Sequence, residues 1–422
     1  MVSVDYDFRT LDPRDESEAT TAALTAWLQA VSQGFHDGTP GELNTRLWLE
    51  TMRTDEQRVV GAWLPEGEFG AGPRPVGTFS SFDKTLNAGL DVIPVHMITD
   101  ITVSPAHRRR GLLSRMMVED LAATDLPVAA LTVSEGSIYG RFGFGAATFR
   151  RRIEVDTDAR FSLRAYADPG RCELMEPADM WPVISDLFDR FHASTRGSLE
   201  RPTFYRPMLT GEIDFATGSA DTKLRGAVHL DADGNPDGYA QWKVGEGENA
   251  KPKPVNANLL TLTNEAHLGL WQFLAGIDLT DRVTDNGSRP DDTLDWSVTN
   301  SDVVHVKSVI DHIWLRVLDV PVALEARPWF ADDSLVLGVD DPLGHAQGAF
   351  TITVRDGRAK VSSTSDSADV LLTAETLASL YLGGVSVRTM ARAGRITGSA
   401  DAVSRLAALM DGGAAPYSLT SF

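Results

Sequence analysis

The sequence predicts a mixed α/β protein of three consecutive α+β units, and three observations carry that prediction. Between residues 96 and 133 an apolar extended segment, a tight basic turn, a helix-patterned stretch and a second apolar strand follow one another. That is the order of a β-α-β crossover onto a parallel pair. A helix-then-strand order of the same kind returns, more loosely, between about 156 and 308. From 309 onward the style changes to strands, a hairpin and two closing helices. These shifts divide the chain into 1–155, 156–308 and 309–422, in line with a length of 422 residues.

In the first unit, Leu24, Trp27, Leu28 and Val31 recur at helical spacing and predict a helix over 22–31. Strands are expected at 58–64 and 75–79 around the turn-rich 65–73, and again at 96–103. Leu113, Met116, Met117 and Leu121 mark a helix running to about 124, and the run from Pro127 to Val133 reads as a buried strand. The second unit offers a helix over 180–192, a strand over 238–244 and a polar loop over 245–256. The apolar run 259–262 then leads into a helix over 264–274. In the third, the apolar run 314–318 is followed by a helix after Pro321 and then by strands at 334–339 and 348–354. The Arg355-Asp356-Gly357-Arg358 segment signals a hairpin before 359–361, and helical patterns follow at 374–382 and 400–410.

Composition narrows the function classes. The formal charge is −20, from 39 basic and 59 acidic residues, which makes nucleic acid and anionic membranes poor partners and a cationic substrate a good one. Cys172 is the single cysteine, so neither an intrachain disulfide nor a cysteine-built metal site is available. The nine histidines are scattered without metal-ligand spacing, and no catalytic metal is expected. The N-terminus has no basic and apolar leader pattern, and no stretch approaches the ~20 apolar residues of a membrane helix. A cytoplasmic protein is the default expectation.

The most informative stretch is Ser104-Pro105-Ala106-His107-Arg108-Arg109-Arg110-Gly111-Leu112-Leu113, at the strand–helix junction. A helix N-terminus aims backbone N–H groups and a dipole at one point, and arginines add fork-shaped donors suited to phosphate oxygens. The plainer reading is a solvated basic turn, but three arginines followed by glycine favour a pyrophosphate cradle. No Gly-Lys-Ser/Thr and no G-x-G-x-x-G is present in it. An Arg-x-x-Gly turn in this place resembles the acetyl-CoA loop of GNAT N-acetyltransferases. The corresponding junction of the second unit, Thr263-Asn264-Glu265-Ala266-His267, has neither arginine nor glycine, so a second copy would have lost its cradle. Acetyl transfer from a thioester to an amine needs a donor for the departing thiolate. Tyr139, in Ser134-Glu135-Gly136-Ser137-Ile138-Tyr139-Gly140-Arg141-Phe142-Gly143-Phe144-Gly145, stands just past the strand beside the cradle and can supply it.

Those two motifs, with Pro321-Val322-Ala323-Leu324-Glu325-Ala326-Arg327, Leu380-Tyr381-Leu382-Gly383-Gly384 and a terminal Phe422, resemble the enhanced intracellular survival (Eis) acetyltransferases of actinobacteria over essentially the whole length. The resemblance implies tandem GNAT domains, the second without cofactor, and a C-terminal domain like sterol carrier protein. It implies a homohexamer that uses acetyl-CoA to acetylate amines of aminoglycosides, at several positions, and lysine amines of proteins and peptides. Carried over, Ile101, Thr102 and Val103 would pair with the pantetheine arm. Arg108, Arg109, Arg110, Gly111, Leu112, Leu113 and Ser114 would hold the pyrophosphate, and Ser134 and Glu135 would line the cofactor. Tyr139 would be the general acid and the terminal carboxylate of Phe422 the general base. Phe35 and Asp37 would contribute an aromatic wall and a carboxylate to the substrate pocket. Two positions depart from the family: Ser421 stands where an acidic residue precedes the terminal Phe, and Asp100 where an aromatic residue precedes the pantetheine strand. Two other functions compete, a protein-lysine acetyltransferase and a lipid-binding or scaffold protein with vestigial GNAT domains.

Overall fold

A computed structural model describes residues 5–133, 135–164, 166–246 and 252–422. Its first sheet has seven strands in the order β1 (Asp7–Leu11), β2 (Arg58–Trp63), β3 (Gly77–Asn87), β4 (Val92–Val103), β5 (Val128–Thr132), then Ile313–Val317 and Gly145–Ala146. β1 to β4 are antiparallel neighbours, whereas β4 and β5 are parallel. Helix α1 (Glu18–Gly34) is capped by Ser17, which accepts from the Thr20 N–H. It buries the expected stripe of Leu24, Trp27, Leu28 and Val31. Trp27 also donates its indole N–H to the Val60 carbonyl at 2.8 Å, locking helix to sheet. Helix α2 (Glu42–Thr54) packs beside it through Leu49 and Met52. The crossover helix α3 (Leu112–Ala123) buries Met116, Met117 and Leu121 against Phe79 and Ile98.

β3 runs well past the residue 79 expected as its end. Ser80 and Ser81 interrupt its apolar pattern, yet both are buried, because Gln57 and Asp120 accept their hydroxyl hydrogen bonds.

The second sheet, also of seven strands, is ordered Val304–Asp311, Phe149–Asp156, Thr280–Ser288, Lys253–Thr261, Pro236–Val244, Arg225–Leu230, Arg171–Leu174. Lys253–Thr261 starts inside the expected polar loop 245–256, its Val255 and Ala257 turned into the core. The two sheets exchange strands at the expected unit boundaries. Phe149–Asp156, which straddles residue 155, pairs into the second sheet, and Ile313–Val317, after 308, joins the first between β5 and Gly145–Ala146. The pairing of Ile313 with Thr132 through Val317 with Val128 explains this, since it buries Ile313, Leu315 and Val317 in a core shared with the third unit.

That third unit is a five-stranded sheet, Arg358–Thr364, Gly348–Arg355, Ser334–Asp340, Val370–Thr373 and Ile396–Gly398, covered by short helices. Leu380, Tyr381 and Leu382 are core residues here, with no more than 1% exposure. A buried ion pair ties the units together: Arg316 on the first sheet donates to Asp341, beyond the strand Ser334–Asp340, at 2.5 Å. Asp341 also accepts from the Ala346 and Leu343 N–H groups. No helix among the described residues is long and apolar enough to cross a membrane.

Candidate active site

The site begins where two parallel strands part. β4 pairs with β5 only through His96, Met97 and Ile98. Beyond Ile98 the strands diverge and the β4 edge from Thr99 to Val103 faces a cavity of about 1130 Å³. On its other side β4 carries a bulge against β3, where Thr78 pairs with Thr102 but Ser80 with Thr99. Bulges re-aim side chains and recur beside active sites. The bulge is pinned by the Thr78 hydroxyl, which donates to the Asp100 carbonyl at 2.7 Å and accepts from the Thr102 N–H. Helix α1 comes close to β4 because Gly34 has no side chain; a Cβ there would lie 2.5 Å from Thr102. This brings Phe35 and His36, just past the helix end, to the cavity wall.

At the opposite end stands the cradle. Gly111 caps α3 in the left-handed region (φ +81°) and no side chain occupies the cap. A Cβ at Gly111 would meet nothing within 4 Å, so the approach to the first-turn N–H groups of Leu112, Leu113 and Ser114 is open. Unsatisfied first-turn donors with the helix dipole behind them make an anion site. Arg108 and Arg109 line the cavity with Gly111, Leu112, Leu113 and Ser114. Arg110 departs from the group: its guanidinium donates to the Tyr6 hydroxyl at 3.1 Å and is not part of the lining. In the second sheet the matching helix, Asn264–Ala275, is closed by its own cap, the Thr263 hydroxyl accepting from the Ala266 N–H at 3.0 Å.

Tyr139 lies on the short turn after β5, buried and edge-on to Phe144. Burial, then the nearby Glu135 charge, raises its pKa above the ordinary value, so the phenol keeps its proton and can donate it. Glu135 lines the same wall, exposed; Ser134 falls outside the described residues.

Phe422 lines the cavity too, brought there by a tail fixed along its length. The Tyr417 N–H donates to the Arg196 carbonyl at 2.9 Å, and the Thr420 hydroxyl to the Leu199 carbonyl at 2.6 Å. The Ser421 N–H donates to the Tyr205 hydroxyl at 2.7 Å. The Ser421 side chain turns to His312, 2.9 Å away, whose pKa burial and then Arg150 push down to about 3. A neutral imidazole therefore backs the tail. The Phe422 ring meets Phe82 edge-on, and its terminal oxygen accepts from the Thr132 hydroxyl at 2.5 Å.

Ile101, Thr102 and Val103 thus share one cavity with Phe35, Tyr139 and Phe422. Asp37 lies outside that lining, its N–H closing the end of α1 on the Ser32 carbonyl. Thr132 and Asp100, without an assigned role in the sequence reading, also line the cavity. Thr132 carried no signal, since its partner is 290 positions away. Asp100 was legible only as a departure from the family pattern. Among the described residues no cluster of three or more His, Cys, Asp or Glu side chains is arranged to hold a metal.

Parting parallel strands, an open cradle and a bulged β4 define a GNAT-type N-acetyltransferase carrying a sterol-carrier-like domain. The acetyltransferase (GNAT) domain family matches residues 16–147 and a second such family matches 197–317, while the sterol carrier protein domain family matches 320–419. An "uncharacterized N-acetyltransferase" of Streptomyces griseus is 36% identical over 405 residues, 92% of each chain. The N-acetyltransferase Eis of Mycobacterium tuberculosis is 33% identical over 370 residues, covering 84% of this chain and 86% of its own. The crystal structure of Eis1 from Mycobacterium abscessus superposes with a TM-score of 0.81 at 26% identity, over 99% of this chain and 100% of that one. The chain belongs to the Eis family of N-acetyltransferases.

Proposed function

We propose that the protein transfers acetyl groups from acetyl-CoA directly to amines of polycationic small molecules of the aminoglycoside class, at more than one position. The observation that carries this reading is the convergence of the open β4 edge, the α3 cradle, Tyr139 and the terminal carboxylate on one cavity. Ile101 to Val103 would hold the pantetheine arm by backbone pairing, with Glu135 alongside. Arg108, Arg109 and the N–H groups of Leu112 to Ser114 would hold the pyrophosphate. The phosphates would lie at the mouth of the helix, where donors and dipole act together.

In the reaction the Phe422 carboxylate removes a proton from the acceptor ammonium. The freed nitrogen attacks the thioester carbonyl, the C–S bond breaks as the C–N bond is completed, and Tyr139 protonates the departing thiolate. A base must be fixed within hydrogen-bond reach of its proton, and Thr132 together with the anchored tail supports that role for the terminus. The net charge of −20 favours encounter with a cation. The second GNAT domain, with its helix closed by Thr263, serves structure. Exposed Leu279 and Trp296 on it, at 87% and 85%, are in keeping with the hexamer of the family resemblance.

The test is a screen of thiol release from acetyl-CoA across aminoglycosides and lysine peptides, with product masses determined. Aminoglycosides are expected to gain one or more acetyl groups. Turnover confined to lysine peptides would replace this reading with a protein-lysine acetyltransferase, and turnover with no amine would refute both.

A further inference from the structure

The cavity is bordered by three carboxylates, and they are not equivalent. That of Phe422 is held by Thr132, and Glu135 stands exposed at the wall. Asp100 lies deeper in the fold, open only in part, on the bulge of β4. Its backbone is in the left-handed region (φ +54°), a conformation that disfavours most side chains in a strand. Residues held in such regions cluster at ligand clamps, where the surrounding structure enforces them. Here the enforcement is visible, since the Thr78 hydroxyl binds the Asp100 carbonyl at 2.7 Å. The Asp100 side chain has no hydrogen-bond donor and no cation against it among the described residues, and burial alone pushes its pKa up to about 7. A desolvated carboxylate without a partner is costly, and a counter-ion removes that cost.

Resting on the reading of a polycationic acceptor, we propose that Asp100 is a specificity-determining residue of the acceptor site: it pairs with an ammonium of the substrate other than the one being acetylated. An acceptor with two or more ammonium groups would give one to Asp100 while presenting another to the Phe422 carboxylate. The same carboxylate would do nothing for an acceptor with a single amine, whose nitrogen must be released for attack.

The test is calorimetric binding of an aminoglycoside and of a simple monoamine to the wild-type full-length protein and to Asp100→Asn, with steady-state kinetics and thermal midpoints alongside. Asparagine tolerates a positive φ, and Asp100→Gly, free of any φ penalty, is the second variant should the first not fold. The expected result is at least a tenfold loss of aminoglycoside affinity and a matching rise in its KM. Monoamine affinity and the KM for acetyl-CoA should stay within about twofold. Equal affinity of wild type and variants for the aminoglycoside, or equal losses for both acceptors, would overturn the assignment. So would a wild type that binds no aminoglycoside. A wild type that binds the aminoglycoside through Asp100 without acetylating it would leave the assignment standing and refute the proposed activity instead.

Discussion

Thr132 and Phe422, 290 positions apart, are joined by a hydrogen bond of 2.5 Å from a hydroxyl to the last oxygen of the chain. A C-terminus is ordinarily a frayed element. Here it is bonded to the end of the strand that, with β4, forms the fork of the cavity, so the residue that ends the tail after the sterol-carrier-like domain lines the same cavity as Arg109 and Tyr139. The strand Ile313–Val317 makes the same connection at the level of the core.

Replacing Tyr139 with Phe should leave acetyl-CoA affinity nearly intact and lower kcat by about 10²–10⁴-fold, the usual contribution of a general acid. The buried ring keeps its packing against Phe144, so the thermal midpoint should not move. A parental kcat would assign the thiolate's proton to another donor.

Arg109→Ala tests the cradle. Loss of one charge-assisted contact, worth about 1.5–3 kcal/mol, should raise the KM for acetyl-CoA by roughly ten- to a hundredfold and leave the KM for the amine unchanged. Arg110→Ala should change neither constant by much, because its guanidinium is turned to Tyr6.

The Arg316–Asp341 pair, essentially inaccessible on both sides, should matter for stability rather than chemistry. Arg316→Ala strands a buried carboxylate and is expected to cost about 3–5 kcal/mol in denaturant unfolding. A loss below about 1 kcal/mol would mean that Asp341 is satisfied by the Ala346 and Leu343 N–H groups alone.

His96 should make stability fall in alkali. Burial by itself would lower its pKa, but hydrogen bonds and charge from Asp120 at 2.8 Å and Asp83 at 2.7 Å outweigh it and hold the group up at about 9. Arg58 faces the same cluster, 2.6 Å from Asp120. Because the folded pKa lies above the ordinary 6.5, the stabilisation is complete below about pH 6.5 and is lost as pH rises through 9. It is on the order of 3 kcal/mol. Thermal midpoints measured between pH 6 and 10 should decline for the wild type and stay nearly level, at a lower value, for His96→Gln. Parallel curves would rule this origin out.

Much of this architecture was legible because periodicity and burial agree. The stripe of α1, the apolar β5 and the Gly111 turn each follow from local chemistry that the fold leaves unaltered. The strand exchange was not legible, because neither Phe149–Asp156 nor Ile313–Val317 carries a local signal for the sheet it joins. Only their long-range partners decide, and no local pattern encodes those. β3 was cut short for a related reason, since Ser80 and Ser81 look like an exposed end until Gln57 and Asp120 are found above them. Of the candidate site, the proposed cradle and Tyr139 were marked in the sequence by glycine, arginine and position, and both line the cavity. The place of Phe422 came from family resemblance, and Thr132 from neither source.

Whether the chain's own terminal carboxylate is the base is tested most directly by deleting Phe422 and comparing activity with thermal stability. The deletion moves the carboxylate back by up to ~3.5 Å, out of the ~2.6–3.2 Å window in which a base meets its proton. It leaves the Thr420 and Tyr417 anchors in place. The expected result is a fall in kcat of about 10²-fold or more with a thermal midpoint close to that of the wild type, and the same outcome when a short tag is added after Phe422. Full activity in both altered forms would contradict the account and pass the role of base to a side-chain carboxylate such as Glu135.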